Sequence, residues 1–276
     1  MATFKSPINR LASARYSWHH AKSGWILLVL FLTFLPLFAS DGPNGIQKRF
    51  ADRIQKTLIE TQKAYLTDTN NLTTAQAFTA ACFDAADAAA DDTKREAFAR
   101  EGIATAGRMA AKDPKSAAGH YYLAMNFGQL AKALAPSLTA YHLIKEIEKE
   151  LKIAQDLDEK VDYAGPARDL GLLYRDAPGW PLSIGSKRKA REFLERAARV
   201  SPDYIENRLN LAESYQHWKD LDAARRELNA VDALWSNAHK QFSGPHWDQE
   251  WADWTERRAA LHQKLDESTA PAKTGP

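Results

Sequence analysis

The segment from Asp162 to Pro202 constrains this chain more than any other. It places Leu170, Gly171 and Tyr174 in one helix-forming stretch, then Ala190, Leu194 and Ala197 in the next, closed by Pro202. Two antiparallel helices approach closely only where small side chains meet large ones. Gly171 and Ala190 against Tyr174 and Leu194 supply that match. The same order returns downstream as Leu211-Ala212, Tyr215, Ala224 and Leu228. It occurs upstream in looser form as Leu123-Ala124 and Phe127, then Ile147, Leu151 and Ala154. Met109 and Pro114 resemble the close of a still earlier unit.

Leu-small-Tyr on a first helix and Ala-Leu-Ala on a second is the pattern of a tetratricopeptide (TPR) unit, here degenerate. The expected fold is all-α: a TPR-like antiparallel helix-pair solenoid with enlarged inter-helix loops and a C-terminal capping helix. Scarce Val/Ile runs and abundant Leu and Ala agree with it. Periodicity predicts helices near 46–66, 74–91, 93–112, 116–134, 138–156, 164–175, 187–200, 204–218, 220–237 and 246–265. Two connections exceed a tight turn: Ala135-Pro136-Ser137, and the insertion from Asp176 to Ser186. Trp247, Trp251, Trp254, Leu261 and Leu265 form one apolar stripe, which suits a helix covering the open end of a solenoid, or an oligomer or partner surface.

The N-terminal segment has a different character. Lys5, Arg10, Arg15 and Lys22 are the only charges among residues 1–40, and the apolar run Trp25–Ala39 follows them. A basic leader before a short apolar run is the pattern of a secretory signal peptide or, uncleaved, of an N-terminal membrane anchor. The run holds Pro36 and is shorter than the ~20 residues of a spanning helix, so cleavage before Ser40 is the expectation. Domain organisation is therefore read as leader 1–40, linker 41–45, helical-repeat domain 46–266 and a polar, disordered tail 267–276. The bulk of the chain is expected to be exported and periplasmic, soluble after cleavage or held at the inner membrane by the leader. Of 37 basic and 35 acidic residues, the leader takes four basic ones, which leaves residues 41–276 at 33 against 35. That balance does not suggest a nucleic-acid binder. The single cysteine, Cys82, excludes an internal disulfide, and its apolar neighbours predict a buried, inert thiol.

Signatures of catalysis, nucleotide binding and zinc binding are missing, so neither an enzyme nor a cofactor is expected. His120 and His142 lie on helices expected to pack together, without a carboxylate partner at ligand spacing. Asp156, Asp158, Glu159 and Asp162 read as a solvated helix junction. A groove lined by first helices is the natural binding surface of such an array. Counting from the equivalent Tyr174 and Tyr215 assigns Arg168, Leu172 and Arg175 to the groove in one unit. The next unit supplies Glu206, Leu209, Glu213 and Gln216, and the preceding one Tyr121 and Met125. Two arginines beside two carboxylates could clasp a peptide or a carboxylated ligand, or could pair with each other across the face. In the insertion, Trp180 is expected to plug the gap between helices. Trp180 and Ser183 are the alternative, partner-facing site.

Five stretches carry a family resemblance: Gly119-His-Tyr-Tyr-Leu-Ala124, Asp162-Tyr-Ala-Gly-Pro-Ala-Arg168, Leu170-Gly-Leu-Leu-Tyr174, Ala177-Pro-Gly-Trp-Pro-Leu-Ser-Ile-Gly185 and Pro202-Asp-Tyr-Ile-Glu-Asn207. This block resembles the periplasmic T component associated with tripartite ATP-independent (TRAP) transporters, a degenerate TPR protein of bacteria. The resemblance implies an exported, non-enzymatic helical protein that docks a substrate-binding partner and self-associates or holds a hydrophobic ligand. The chain departs from the family in lacking a lipoprotein cysteine and in its Trp-rich C-terminal helix. The expected function is an exported scaffold for a protein partner in the cell envelope. The alternative is a periplasmic carrier of a small hydrophobic or carboxylated ligand, with Tyr121, Met125 and Leu172 in its lining.

Overall fold

In the computed structural model, which describes residues 43–268, polar side chains at the starts of helices set most of the boundaries. The elements are α1 (Pro43–Thr67), α2 (Leu72–Asp87), α3 (Asp92–Lys112), α4 (Ala117–Ala133), α5 (Leu138–Leu157), α6 (Gly165–Asp176), α7 (Lys187–Val200), α8 (Ile205–His217) and α9 (Leu221–Gln241). A 3-10 turn at Pro245–Trp247 then leads into α10 (Asp248–Glu267). Asn71, Asp91, Ser116, Ser137, Ser186 and Asp220 each accept a first-turn N–H. Each cap contributes about 1 kcal/mol. The leader 1–40 and residues 269–276 of the tail lie outside the described residues, and α1 already begins at Pro43, within the segment read as a linker.

Two boundaries differ from the periodicity. α2 stops at Asp87, because Asp91 turns out of the helix to accept from the Lys94 N–H and start α3. α9 continues to Gln241, because Ala238 and Phe242 are buried beneath the C-terminal tryptophans.

The helices pack as the repeats require. α2 with α3, α4 with α5, α6 with α7 and α8 with α9 form the antiparallel pairs, and α3, α5 and α7 each pack on the first helix of the following pair. Gly171 permits the α6–α7 approach: a Cβ there would lie 2.6 Å from Leu194 Cγ. The tyrosines of successive first helices are tied to the preceding second helix in the same way. The Tyr174 hydroxyl donates to Glu148 at 2.5 Å, and the Tyr215 hydroxyl donates to Glu195 at 2.6 Å. α10 closes the stack. Trp247, Trp254, Leu261 and Leu265 are buried with Tyr204, Phe242 and Val231, so the tryptophan stripe is a cap. Among the described residues no helix is long and apolar enough to cross a membrane.

Candidate binding groove

α6 starts without a side-chain cap, after three consecutive left-handed residues: Asp162 (φ 49°), Tyr163 (φ 54°) and Ala164 (φ 64°). Non-glycine residues adopt this conformation at a cost of about 1–2 kcal/mol each, so something must over-determine it. Arg168 does so from one turn inside α6. Its Nη2 donates to Asp162 Oδ2 at 2.6 Å and its Nη1 to the Asp162 carbonyl at 3.2 Å. Asn207 Nδ2 donates to the Tyr163 carbonyl at 2.9 Å, and the Tyr163 ring stacks on Tyr204 at 4.5 Å. The Tyr121 hydroxyl lies 2.8 Å from both Asp162 Oδ2 and Asp169 Oδ2 and accepts from Arg168 Nη2 at 3.1 Å. Gly165 makes room for this, since a Cβ there would sit 2.6 Å from the Tyr121 hydroxyl oxygen. One phenolic proton cannot serve two carboxylates fully. Asp169 is placed to carry a second proton, because burial pushes its carboxyl up to about 6 against the pull of Arg168.

A second polar cluster joins α8 to α10. Arg257 Nη1 donates to Glu206 at 2.7 Å and to Asp253 at 3.0 Å, its Nε to Glu213 at 2.8 Å, and its Nη2 to Asn210 at 2.7 Å. Trp254 Nε1 donates to the other Glu206 oxygen at 2.5 Å. Burial pushes the Glu206 carboxyl up, opposed by Arg257. Two of the four groove positions of the last pair, Glu206 and Glu213, are thus met by the chain's own C-terminal helix.

These contacts redistribute the residues assigned to the groove by spacing. Tyr121, Met125, Arg168, Glu206 and Leu209 are buried, so none of them lies free on a binding face. Tyr121 and Met125 belong to the core that α2 and α4 to α7 build, whereas Leu209 belongs to the core around α8 to α10, with Leu172 packed against it. Arg168 does not face a ligand because Asp162, Asp169 and Tyr121 satisfy it internally. Leu172, Arg175, Glu213 and Gln216 are half-buried and form the accessible rim on α6 and α8. Arg175 pairs with Asp176 at 2.6 Å and reaches Ser214 at 3.1 Å, while Glu213 holds Arg257.

Three further expectations change. Trp180 does not plug a gap. It is among the most exposed large apolar residues of the described chain, because Ile184 roots the insertion in the core in its place. Ser183 beside it is half-buried. His120 has a carboxylate partner after all: its Nδ1 lies 2.6 Å from Glu150 on α5, and its Nε2 lies 3.2 Å from the Pro114 carbonyl. The acidic junction is solvated at Asp156 and Asp158, but Asp162 turns inward to Arg168. Cys82 is buried as expected, and burial pushes its thiol up, away from the reactive thiolate. Among the described residues no group of three or more His, Cys, Asp or Glu is placed to hold a metal ion.

The reading from spacing overlooked Asp169 and Arg257. The signal for Arg257 was present: Glu206, Asn210 and Glu213 lie at i, i+4 and i+7 on α8, a polar stripe that needs a cation if it is covered.

No protein-family model and no curated protein matches the chain. Among solved structures it is similar to the crystal structure of TTC0263, a thermophilic TPR protein in Thermus thermophilus. The identity is 18% and the TM-score 0.55, over 80% of this chain and 96% of that one. It is also similar to the crystal structure of MamA, with 17% identity and a TM-score of 0.47, over 74% of this chain and 99% of that one. With the pairing of α2 through α9, the first likeness establishes a TPR-like helical-repeat fold.

Proposed function

We propose that this protein is an exported TPR-like scaffold that binds a protein partner in the cell envelope. The observation that supports the binding role is the rim of Leu172, Arg175, Glu213 and Gln216. It is a half-exposed strip of mixed chemistry along two successive first helices, where helical repeats present partner surfaces. Export rests on the basic leader and the apolar run 25–39. The transporter-associated role, with a solute-binding protein as partner, rests on the stretch Pro178–Gly185 and its neighbours. The carrier alternative is less well supported. Its proposed lining is divided between two packed cores, with Tyr121 and Met125 in one and Leu172 against the other.

A photo-crosslinking side chain at Gln216 of the full-length protein, expressed in cells, tests this reading. The expected product is an adduct with a solute-binding protein or transporter subunit that disappears when Arg175 is changed to Glu. Absence of any envelope protein in the adducts, with the folded protein present, would remove the scaffold reading. An envelope adduct without a transport component would remove the transporter role alone.

A further inference from the structure

The three most exposed large apolar side chains of the described chain are Trp180 at 89%, Leu182 at 80% and Leu138 at 79%. All three lie on one edge of the solenoid. Each pair turns from its first to its second helix at this edge, and Leu138 opens α5 while Trp180 and Leu182 cap the α6–α7 connection. The insertion is held in shape at its neck. The Gly185 N–H donates to the Pro178 carbonyl at 2.9 Å, the Ser186 N–H to Tyr174 at 2.8 Å, and the Leu182 N–H to Gly179 at 3.0 Å. Two apolar side chains therefore stand outward on a hydrogen-bonded turn rather than fold back.

Cations flank the tip. From Arg175 to Arg191 the chain carries five basic residues and one acidic residue. Arg175 is neutralised by Asp176, and Arg191 pairs with Asp220 at 3.0 Å. Lys187, Arg188 and Lys189 remain at the start of α7. Lys187 lies over Trp218 and Lys189 over Tyr174, contacts that leave the ammonium charge in place. Arg188 has only an exposed pair with Glu192 at 3.3 Å, which is weak.

We propose that this edge docks on an anionic bilayer surface, with Trp180 and Leu182 entering the interface and Lys187, Arg188 and Lys189 on lipid phosphates. A protruding tip of this kind offers on the order of 400 Å² of apolar surface. A stable protein interface takes roughly 800 Å² per partner, whereas interfacial binding needs only a small apolar wedge and nearby cations. The entry of the chain agrees. α1 packs on α2 across a short turn, so it runs antiparallel to it and begins, at Pro43, on this same edge. The apolar run 25–39 lies just ahead of it in the sequence. This last support rests on the anchored-leader reading above, whereas the exposed tip and its cations do not.

The test uses the full-length protein with Ser183→Cys labelled by an environment-sensitive nitrobenzoxadiazole. Buried Cys82 stays unlabelled. The protein is reconstituted into vesicles of phosphatidylglycerol with phosphatidylethanolamine, or of phosphatidylcholine alone. A blue shift in the anionic vesicles only is expected. Replacing Lys187 and Arg188 by Ser should weaken insertion roughly 30-fold, about five-fold per cation. Trp180→Ser with Leu182→Ser should abolish the shift. The same label at Leu157→Cys, on the opposite edge, should remain in water.

An aqueous spectrum at residue 183 in both lipids would overturn the proposal, as would an equal shift in both or a shift at residue 157 as well. A shift that grows with the protein-to-lipid ratio would assign the tip to a second copy and overturn it too. Alkaline extraction of the same vesicles reads the leader separately. A chain that is extracted yet shows the shift at residue 183 loses its anchor and keeps this docking edge.

Discussion

The α6–α7 and α8–α9 pairs carry the same repeat pattern and use it differently. Counted from Tyr174 and Tyr215, Arg168 in the first pair occupies the position of Leu209 in the second, and both are buried. Gly171 occupies the position of Ala212. An insertion reaching to Ser186 joins the first pair, where Trp218 to Asp220 suffices for the second. The difference shows which repeat positions define the fold and which carry the individuality of a unit. Leu, Tyr and the facing Ala residues recur because helix contact demands them. The position six residues before the tyrosine accepts charge or hydrocarbon, provided the charge brings its own partners.

Making the pairs alike at that position should have the largest effect. Arg168→Leu copies the second pair but leaves Asp162 and Asp169 buried without their cation, and should cost about 3–5 kcal/mol in denaturant unfolding. Adding Asp162→Asn and Asp169→Asn should restore part of that loss. A triple variant no more stable than the single one would show that the partners do not set the penalty.

Gly171→Ala should cost about 1–3 kcal/mol by forcing Leu194 aside, because a Cβ there would lie 2.6 Å from Leu194 Cγ. The reverse change in the second pair, Ala212→Gly, should cost about 1–2 kcal/mol, through backbone entropy and the lost burial of its methyl. A loss at Gly171→Ala well below about 1 kcal/mol would show that Leu194 yields to the added methyl.

Asp169 makes the first pair sensitive to pH. Its carboxyl titrates near 6 in the fold and near 3.8 in the unfolded chain, so the folded state holds the extra proton between these values. Its contribution therefore favours the fold at the acid end of that window, declines as pH rises through it, and is constant above it. Asp169→Asn should flatten that part of the melting-temperature profile, and an unchanged slope would rule Asp169 out as its source.

Tyr174→Phe and Tyr215→Phe should each cost about 1 kcal/mol, since each removes one bond to a glutamate of the preceding helix. The matching losses would sharpen the equivalence of the two pairs. The smallest effect belongs to the insertion. Trp180→Ser should shift stability by no more than about 0.5 kcal/mol, because the indole is exposed and covers no core. A drop of about 2 kcal/mol, the size of a buried-contact loss, would mean that Trp180 supports the fold after all.

Most helices were legible in the sequence because each depends on neighbours three or four residues away. Ser137 and Ser186 announce α5 and α7 by local chemistry, and Leu194 and Ala197 repeat on one face of a helix. The groove was less legible. Position relative to Tyr174 and Tyr215 specifies the face of a helix, but not whether another element covers that face. Arg257 lies 51 residues from Glu206 and fills the α8 positions from α10.

The sequence alone thus determined an all-α, paired-helix solenoid, a C-terminal cap and a buried cysteine, all consequences of periodicity and side-chain size. Only the tertiary structure decided that Arg168 and Glu206 are interior charges, that Asp162 turns inward through a left-handed backbone, and that Trp180 stands in the open. Burial and ion pairing between distant segments depend on which surfaces meet, and a local pattern carries no record of that.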